Sequence, residues 1–407
     1  MTLQFLTIVA AASGMAMLAL THNAAAEYFM FAALAAVVLV SYVSSRLSIR
    51  ALRVRRGCPD RVFENDALTV QLEVTNSGRF PRFLVDVDDA LPHFMEADGE
   101  RNFMIPTLWP GESVVLTYTA RARKRGVYTW SPLAISASDP FGVFQRFVPV
   151  EAQGEAIVYP KPLDLRGSLG QSGVELRGIS MGERARGSES GLDFYGIRDY
   201  APGDDLRRIH WPGTAHHGRL TVIEFDRGAS GNVAVVLDTM AGTEFGAGVD
   251  SSLEVGIRAA ASLIHLALAG EGVGFLAVAG ADGPRWVAVE QLYREYEVLE
   301  VLARVSADGA MPASALLQWA ASHLDPGANV VLITAAPDGA LPSVVGGLRG
   351  KHLHLSTIVL DAHSFDLSAP HPTDAVSELE AAGADVIGIA RGADLQEALG
   401  RVIAGYT

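Results

Sequence analysis

Residues 232–238 read Asn-Val-Ala-Val-Val-Leu-Asp. A half-exposed strand alternates apolar and polar side chains, whereas an unbroken apolar run is the mark of a strand covered on both faces. Reading outward, residues 253–269 have helical spacing. Residues 274–279 are a second apolar run, and 292–305 and 313–323 are helical. Residues 329–333 form a third run, 341–348 a helix, and 353–360 a fourth run. A helix at 376–381, a strand at 386–389 and a helix at 395–403 complete the alternation. Strands separated by helices predict a mostly parallel sheet in an α/β domain over residues 229–407, with any ligand beyond the carboxyl ends of the strands. Gly228 to Thr407 carries 21 acidic and 8 basic residues, a net −13. Nearly all the acidity of the chain, −14 in total, therefore lies here, as on a solvated face or one facing a basic partner.

Upstream, Gly191 to Trp211 reads G-L-D-F-Y-G-I-R-D-Y-A-P-G-D-D-L-R-R-I-H-W. Arg198, Arg207, Arg208, Arg219 and Arg227 balance Asp193, Asp199, Asp204, Asp205, Glu224 and Asp226, interleaved with Phe194, Tyr195, Tyr200, Ile209 and Trp211. Pro202-Gly203-Asp204 is turn chemistry, and Asp204 or Asp205 suits the cap of a short helix over 206–210. Arginine forks pair carboxylates bidentately, so a fixed ion-pair network or docking surface is the simplest reading. The alternative is a metal-dependent hydrolase built on Asp204, Asp205, His210 and Asp226, with His216 and His217 nearby. Those spacings fit no metal motif, and adjacent histidines point apart on regular structure.

These residues closely resemble the signature of the domain of unknown function 58 family: Asp193-Phe194, Arg198-Asp199-Tyr200, Pro202-Gly203-Asp204-Asp205, Arg207, Ile209 and Trp211. Asp199 replaces the usual Glu, and Thr214-Ala215-His216 replaces the usual S-A-R. Arg125-Gly126-Val127-Tyr128 and Asp139-Pro140-Phe141-Gly142 resemble family features too. The resemblance implies a membrane-anchored partner of a MoxR-type AAA+ ATPase, with a von Willebrand factor A-like domain after the signature. Such a domain ends its first strand in D-x-S-x-S and adds a T-D-G aspartate after a later strand, hard oxygen ligands for Mg²⁺. Here the first motif is Asp238-Thr239-Met240-Ala241-Gly242 and the later one Thr334-Ala335-Ala336. Both serines and the second aspartate are replaced, so a metal-free domain without cofactor is expected, Asp238 being the one residual candidate ligand.

The amino-terminal part is different. Residues 3–20 and 28–43 lack charge and read as a transmembrane hairpin within residues 1–47. Arg46, Arg50, Arg53, Arg55 and Arg56 follow, while the hairpin loop has neither Lys nor Arg. The positive-inside rule then makes this a two-pass protein of a bacterial inner membrane with its remaining domains cytoplasmic. A signal peptide cut after Ala24-Ala25-Ala26 is the competing reading, opposed by the missing basic n-region.

Residues 57–150 carry short strand-like runs. Leu68, Val70, Leu72 and Val74 alternate with Thr69, Gln71 and Glu73; 83–87, 114–120, 127–130 and 133–137 follow, with turns at Asn76-Ser77-Gly78 and Pro110-Gly111. An Ig-like β-sandwich is expected, joined to the α/β domain by a linker and the signature over 151–228.

At 407 residues, 49% hydrophobic and 19% charged, the chain is too apolar for disorder. Its negative charge argues against a general nucleic-acid binder. Cys58 is its one cysteine, so an internal disulfide is excluded. There is no P-loop (Gly350-Lys351-His352 fails the pattern) and no H-E-x-x-H. With no small-molecule substrate evident, these readings converge on a membrane-anchored, non-enzymatic scaffold or adaptor; a purely structural envelope protein is the other non-catalytic reading.

Overall fold

A computed structural model describes residues 3–22, 25–48, 51–139, 141, 143–165, 193–199, 214, 220–226, 232–270, 272–351 and 353–404. It divides into two compact units, Met1–Tyr159 and Pro160–Thr407.

The first unit opens with α1 (Leu3–His22) and α2 (Ala25–Ser48), packed together. The stretches Phe5–His22 and Ala25–Arg46 have mean hydropathies of 1.7 and 1.9, and only 6% and 11% of them are buried. Both are long and apolar enough to cross a membrane. Leu6, Met17, Leu20, Phe29, Leu39 and Val40 are all exposed, which is compatible with a membrane anchor.

Eleven strands follow: β1 (Leu52–Gly57), β2 (Arg61–Phe63), β3 (Ala67–Asn76), β4 (Arg82–Asp88), β5 (Met95–Ala97), β6 (Asn102–Leu108), β7 (Ser113–Ala122), β8 (Gly126–Thr129), β9 (Leu133–Ser138), β10 (Gln145–Val150) and β11 (Glu155–Tyr159). They form two four-stranded antiparallel sheets, β1-β3-β7-β5 and β10-β9-β4-β6, and a smaller β2-β11-β8 sheet. The period-two expectation for β3 is met: Leu68, Val70, Leu72 and Val74 are buried and the residues between them are not. They share one core with Val85 and Val87 of β4, Ile105 of β6 and Ile135 of β9, so the two large sheets face each other across it.

β1 corrects one sequence expectation. Leu52 and Val54 turn into the core, which leaves Arg53 and Arg55 outward, yet Arg56 does not serve as a membrane-flank charge. Its side chain and that of Asp89 are wholly buried and paired at 2.5 Å. The guanidinium also donates to the Ala152 and Ser131 carbonyls and lies over the Trp130 ring. Asp89 accepts a further hydrogen bond from the Tyr118 hydroxyl at 2.7 Å.

The second unit begins, among the described residues, with a hairpin of β12 (Asp193–Asp199) and β13 (Thr221–Asp226). The remaining elements are β14 (Val233–Leu237), α3 (Ser252–Ala269), β15 (Gly274–Gly280), β16 (Gly283–Val289), α4 (Tyr296–Arg304), α5 (Ala313–Ala320), β17 (Asn329–Thr334), α6 (Leu341–Arg349), β18 (His354–Leu360), α7 (Ala362–Phe365), α8 (Thr373–Ala382), β19 (Asp385–Ile389) and α9 (Leu395–Ala404). The sheet order is β16-β15-β14-β17-β18-β19, parallel except for the antiparallel edge strand β16. Every residue of β14 and of β17 is buried, as their unbroken apolar runs require.

Ala234 and Val236 pack with Leu316 and Leu317 of α5 and Val345 of α6 on one face. On the other face α3 lies close against the sheet. A Cβ at its Gly256 would sit 3.3 Å from both Leu237 and Ile333, so glycine sets that approach. The helix is apolar enough to resemble a membrane span, but 78% of it is buried, which makes it a core element.

Candidate functional site

The strand order reverses between β14 and β17. In an open α/β sheet that switch point, at the carboxyl ends of the strands, is where a crevice for a ligand forms. Asp238 follows β14 at this point and Thr334 ends β17. The two are joined directly: the Thr334 hydroxyl donates to Asp238 Oδ2 at 2.7 Å. Asp238 Oδ1 accepts the Met240 amide at 3.0 Å, and Thr334 Oγ1 accepts the Ala336 amide at 3.1 Å. The Asp238 amide donates to the Ile333 carbonyl. Next to it, the Thr239 hydroxyl donates to the Ala279 carbonyl of β15 at 2.7 Å.

What remains is a cavity of about 10 Å³ between Asp238, Thr334, Ser252 and Gly256, the space of one water. The loop beyond is fastened too. Ser251 caps α3 by accepting the Glu254 amide and donates to Glu244, and Ser252 accepts the Phe245 amide.

This arrangement does not fit a divalent cation. Each Asp238 oxygen already accepts a hydrogen bond, and the two lost serine positions hold a thioether and a hydrogen, neither an oxygen donor. The nearest later acid, Asp338, accepts the Ser314 amide at the start of α5 and the Ala340 amide. Among the described residues no group of three or more His, Cys, Asp or Glu is placed to hold a metal.

Burial pushes the Asp238 carboxyl above the usual carboxylate range, and the Asp338 charge adds to this; the bonds from Thr334 and Met240 pull the other way. The folded protein therefore holds this proton more tightly than the unfolded chain. The stability that Asp238 contributes is full below about pH 3.9, the unfolded value, and is lost as pH rises through the raised folded value. Asp238→Asn, which keeps an acceptor for the Met240 amide, should melt progressively higher relative to the wild type between about pH 3.5 and pH 7. Thermal melts across that range check this; a widening advantage for the wild type would contradict it.

The signature residues divide. Asp193, Phe194 and Arg198 lie on β12, where Asp193 shares a register position with Asp226 and Arg198 with Val222, and a bulge falls between Phe194 and Gly196. Tyr200, Pro202, Gly203, Asp204, Asp205, Arg207, Ile209 and Trp211 lie outside the described residues, as do His210, His216, His217 and the expected 206–210 helix. Sequence reasoning missed the Arg56–Asp89–Tyr118 cluster, whose members are far apart in the chain. It also missed Thr334 as the partner of Asp238, although the strand-end position of both was readable.

A family model described as "Protein of unknown function DUF58" matches residues 196–290, from within β12 to just past β16. The chain is 23% identical over 257 residues to the "Uncharacterized protein YeaD" of Bacillus subtilis (strain 168), a match covering 62% of each chain. Among solved structures, the region of Escherichia coli alpha-2-macroglobulin from domain MG7 to the C-terminus is 19% identical, with a TM-score of 0.23 over 27% of this chain and 16% of that one. The CARDB domain of a Pyrococcus furiosus protein, in complex with di-metal ions, is 20% identical with a TM-score of 0.20, covering 27% of this chain and 94% of that one. Scores this low support no argument about fold or function.

Proposed function

We propose that the chain is a membrane-tethered, non-enzymatic scaffold or adaptor working with a MoxR-type AAA+ ATPase in the assembly or chaperoning of protein complexes. The ATPase enters through the resemblance of the signature. The observation that carries the non-enzymatic part is the sealed switch point: Asp238 and Thr334 hydrogen-bond to each other where a ligand would sit, leaving about 10 Å³. At the switch point, surfaces and not a pocket are then what the described residues of the α/β unit offer, and the net −13 of residues 228–407 suits a basic partner face.

We read that unit as von Willebrand A-like and the β domain as Ig-like. Supporting the first are the mostly parallel sheet and the aspartate after its first strand; supporting the second are two antiparallel sheets over one core. The site is a bacterial inner membrane crossed twice. Arg46 in the last turn of α2, with Arg53 and Arg55 after it, supports a cytoplasmic side for the later domains.

Solubilised membranes carrying the full chain with a tag after Thr407 should retain an AAA+ ATPase on capture. A reporter fused there should be active only as a cytoplasmic protein. Capture no better than a tag-only control ends the adaptor reading, and periplasmic activity ends the topology.

A further inference from the structure

Within the first unit, α2 and the β domain enclose a groove of about 440 Å³. Leu39, Val40, Val43 and Ser44 form one wall and the Phe80–Phe83 segment the other. We propose that this groove holds an acyl chain of a phospholipid from the surrounding bilayer, with Arg82 and Ser44 as the polar lining that meets its headgroup. The proposal rests on the membrane-anchored reading and adds a binding site to it.

Depth is the first argument. The α2 wall belongs to the apolar stretch Ala25–Arg46. At a rise of about 1.5 Å per residue, Val43 lies about 4.5 Å and Leu39 about 10 Å inward of Arg46, whose charge belongs at headgroup level. The groove therefore opens into hydrocarbon. A peptide bound there would carry unsatisfied backbone groups into the bilayer, which an acyl chain does not.

The β domain is seated at this level by its own side chains. The Phe144 ring packs on Phe5 of α1 at 5.2 Å and on Tyr42 of α2 at 5.9 Å, and α2 also packs against β9 and β10. Around that seat Phe80, Phe141, Phe147 and Val148 are all exposed, Phe147 at 72%. Two consecutive exposed apolar residues on one strand do not suit water on both faces; aromatic rings at this depth suit a membrane interface.

The second wall is irregular where it meets the groove. β4 carries a bulge between Phe83 and Val85, and Leu84 between them has φ +45°, a strained value for a branched side chain. Arg82 is 3% exposed, and burial lowers its pKa, so an anionic headgroup beside it would favour its charged form.

The test uses the full chain in native membranes, with a photoreactive benzophenone side chain at Phe80 and, as control, at Leu367, an exposed apolar position in the other unit. Irradiation should give a phospholipid-mass adduct at Phe80 about tenfold above that at Leu367, the change that burial of about two methylenes gives. Val43→Trp, which fills the groove, and Val43→Ser, which makes its wall polar, should each lower the adduct severalfold. Equal yields at the two positions, yields unmoved by both variants, or an adduct to another protein at Phe80 would overturn the proposal. Alkaline extraction of the same membranes separates the two readings. Chain released into the supernatant removes the anchor itself, while retained chain without adduct removes only the groove.

Discussion

Arg56→Ala is expected to destabilise the β domain by about 3–5 kcal/mol, the cost of stranding one partner of a buried ion pair. For a domain of about 100 residues that lowers its melting transition by roughly 15–25 °C. Both side chains are wholly buried, so the pair gains nothing from water once broken. The alanine variant would leave the Asp89 carboxylate with the Tyr118 hydroxyl and without its counter-charge. It would also leave the Ala152 and Ser131 carbonyls short of a donor. Charge and packing separate by a second substitution. Asp89→Asn removes the stranded charge and still accepts from Tyr118, so the double variant should melt above Arg56→Ala alone. If the double variant melts lower still, the loss is one of packing around Trp130 and Gly154, whose Cβ position is 2.8 Å from the Arg56 side chain. Calorimetry of the full chain in detergent, comparing the wild type with the single and double variants, checks both.

Arg56 also shows where a sequence stops informing. Its local pattern, Arg53-Val54-Arg55-Arg56 just past an apolar helix, is that of a membrane flank, and for Arg53 and Arg55 the exposed side of β1 agrees with it. The partner that buries Arg56 is 33 residues away, just past the end of β4 in the other large sheet, a distance no periodicity reports. Periodicity did report β3 and β14, because in each the burial pattern is written within one strand.

The edge strand β16 escaped for a nameable reason. Asp282-Gly283 is a hairpin signal and Gly283 has φ +105°, but Pro284 interrupts the run and argues against a central strand. At an edge, where no neighbour needs its amide, that proline is tolerated. At the switch point, Asp238 was readable as a strand-end acid. Its union with Thr334 was not, since it depends on the register of β14 against β17.

Gly309→Ala is expected to disturb that union from a distance. Gly309 is buried and bridges Met240 in parallel: its amide donates to the Thr239 carbonyl at 2.9 Å, and its carbonyl accepts the Ala241 amide at 2.8 Å. These two bonds hold the Thr239-to-Ala241 loop, and Met240 supplies one of the two hydrogen bonds to Asp238. A methyl group on Gly309 would fall on the Ala279 carbonyl oxygen and stand 3.0 Å from that of Thr239. Both obstacles are backbone atoms, one in β15 and one in the loop that Gly309 holds, and neither can swing aside as a side chain end does. The cost belongs at the upper end of the overpacking range, about 3 kcal/mol. Amide exchange at Ala241 and Gly309 should accelerate along with the drop in melting temperature, because the strap opens before the sheet does. Gly346→Ala in α6 is the control of opposite sign. Nothing lies within 4 Å of its Cβ position, and alanine in an open helical site should stabilise by about 0.5–1 kcal/mol. Slow exchange at Ala241 in Gly309→Ala would mean that the Asp238–Thr334 bond, and not the Gly309 strap, fixes the loop. The seal over the switch point would then be intrinsic to the two central strands.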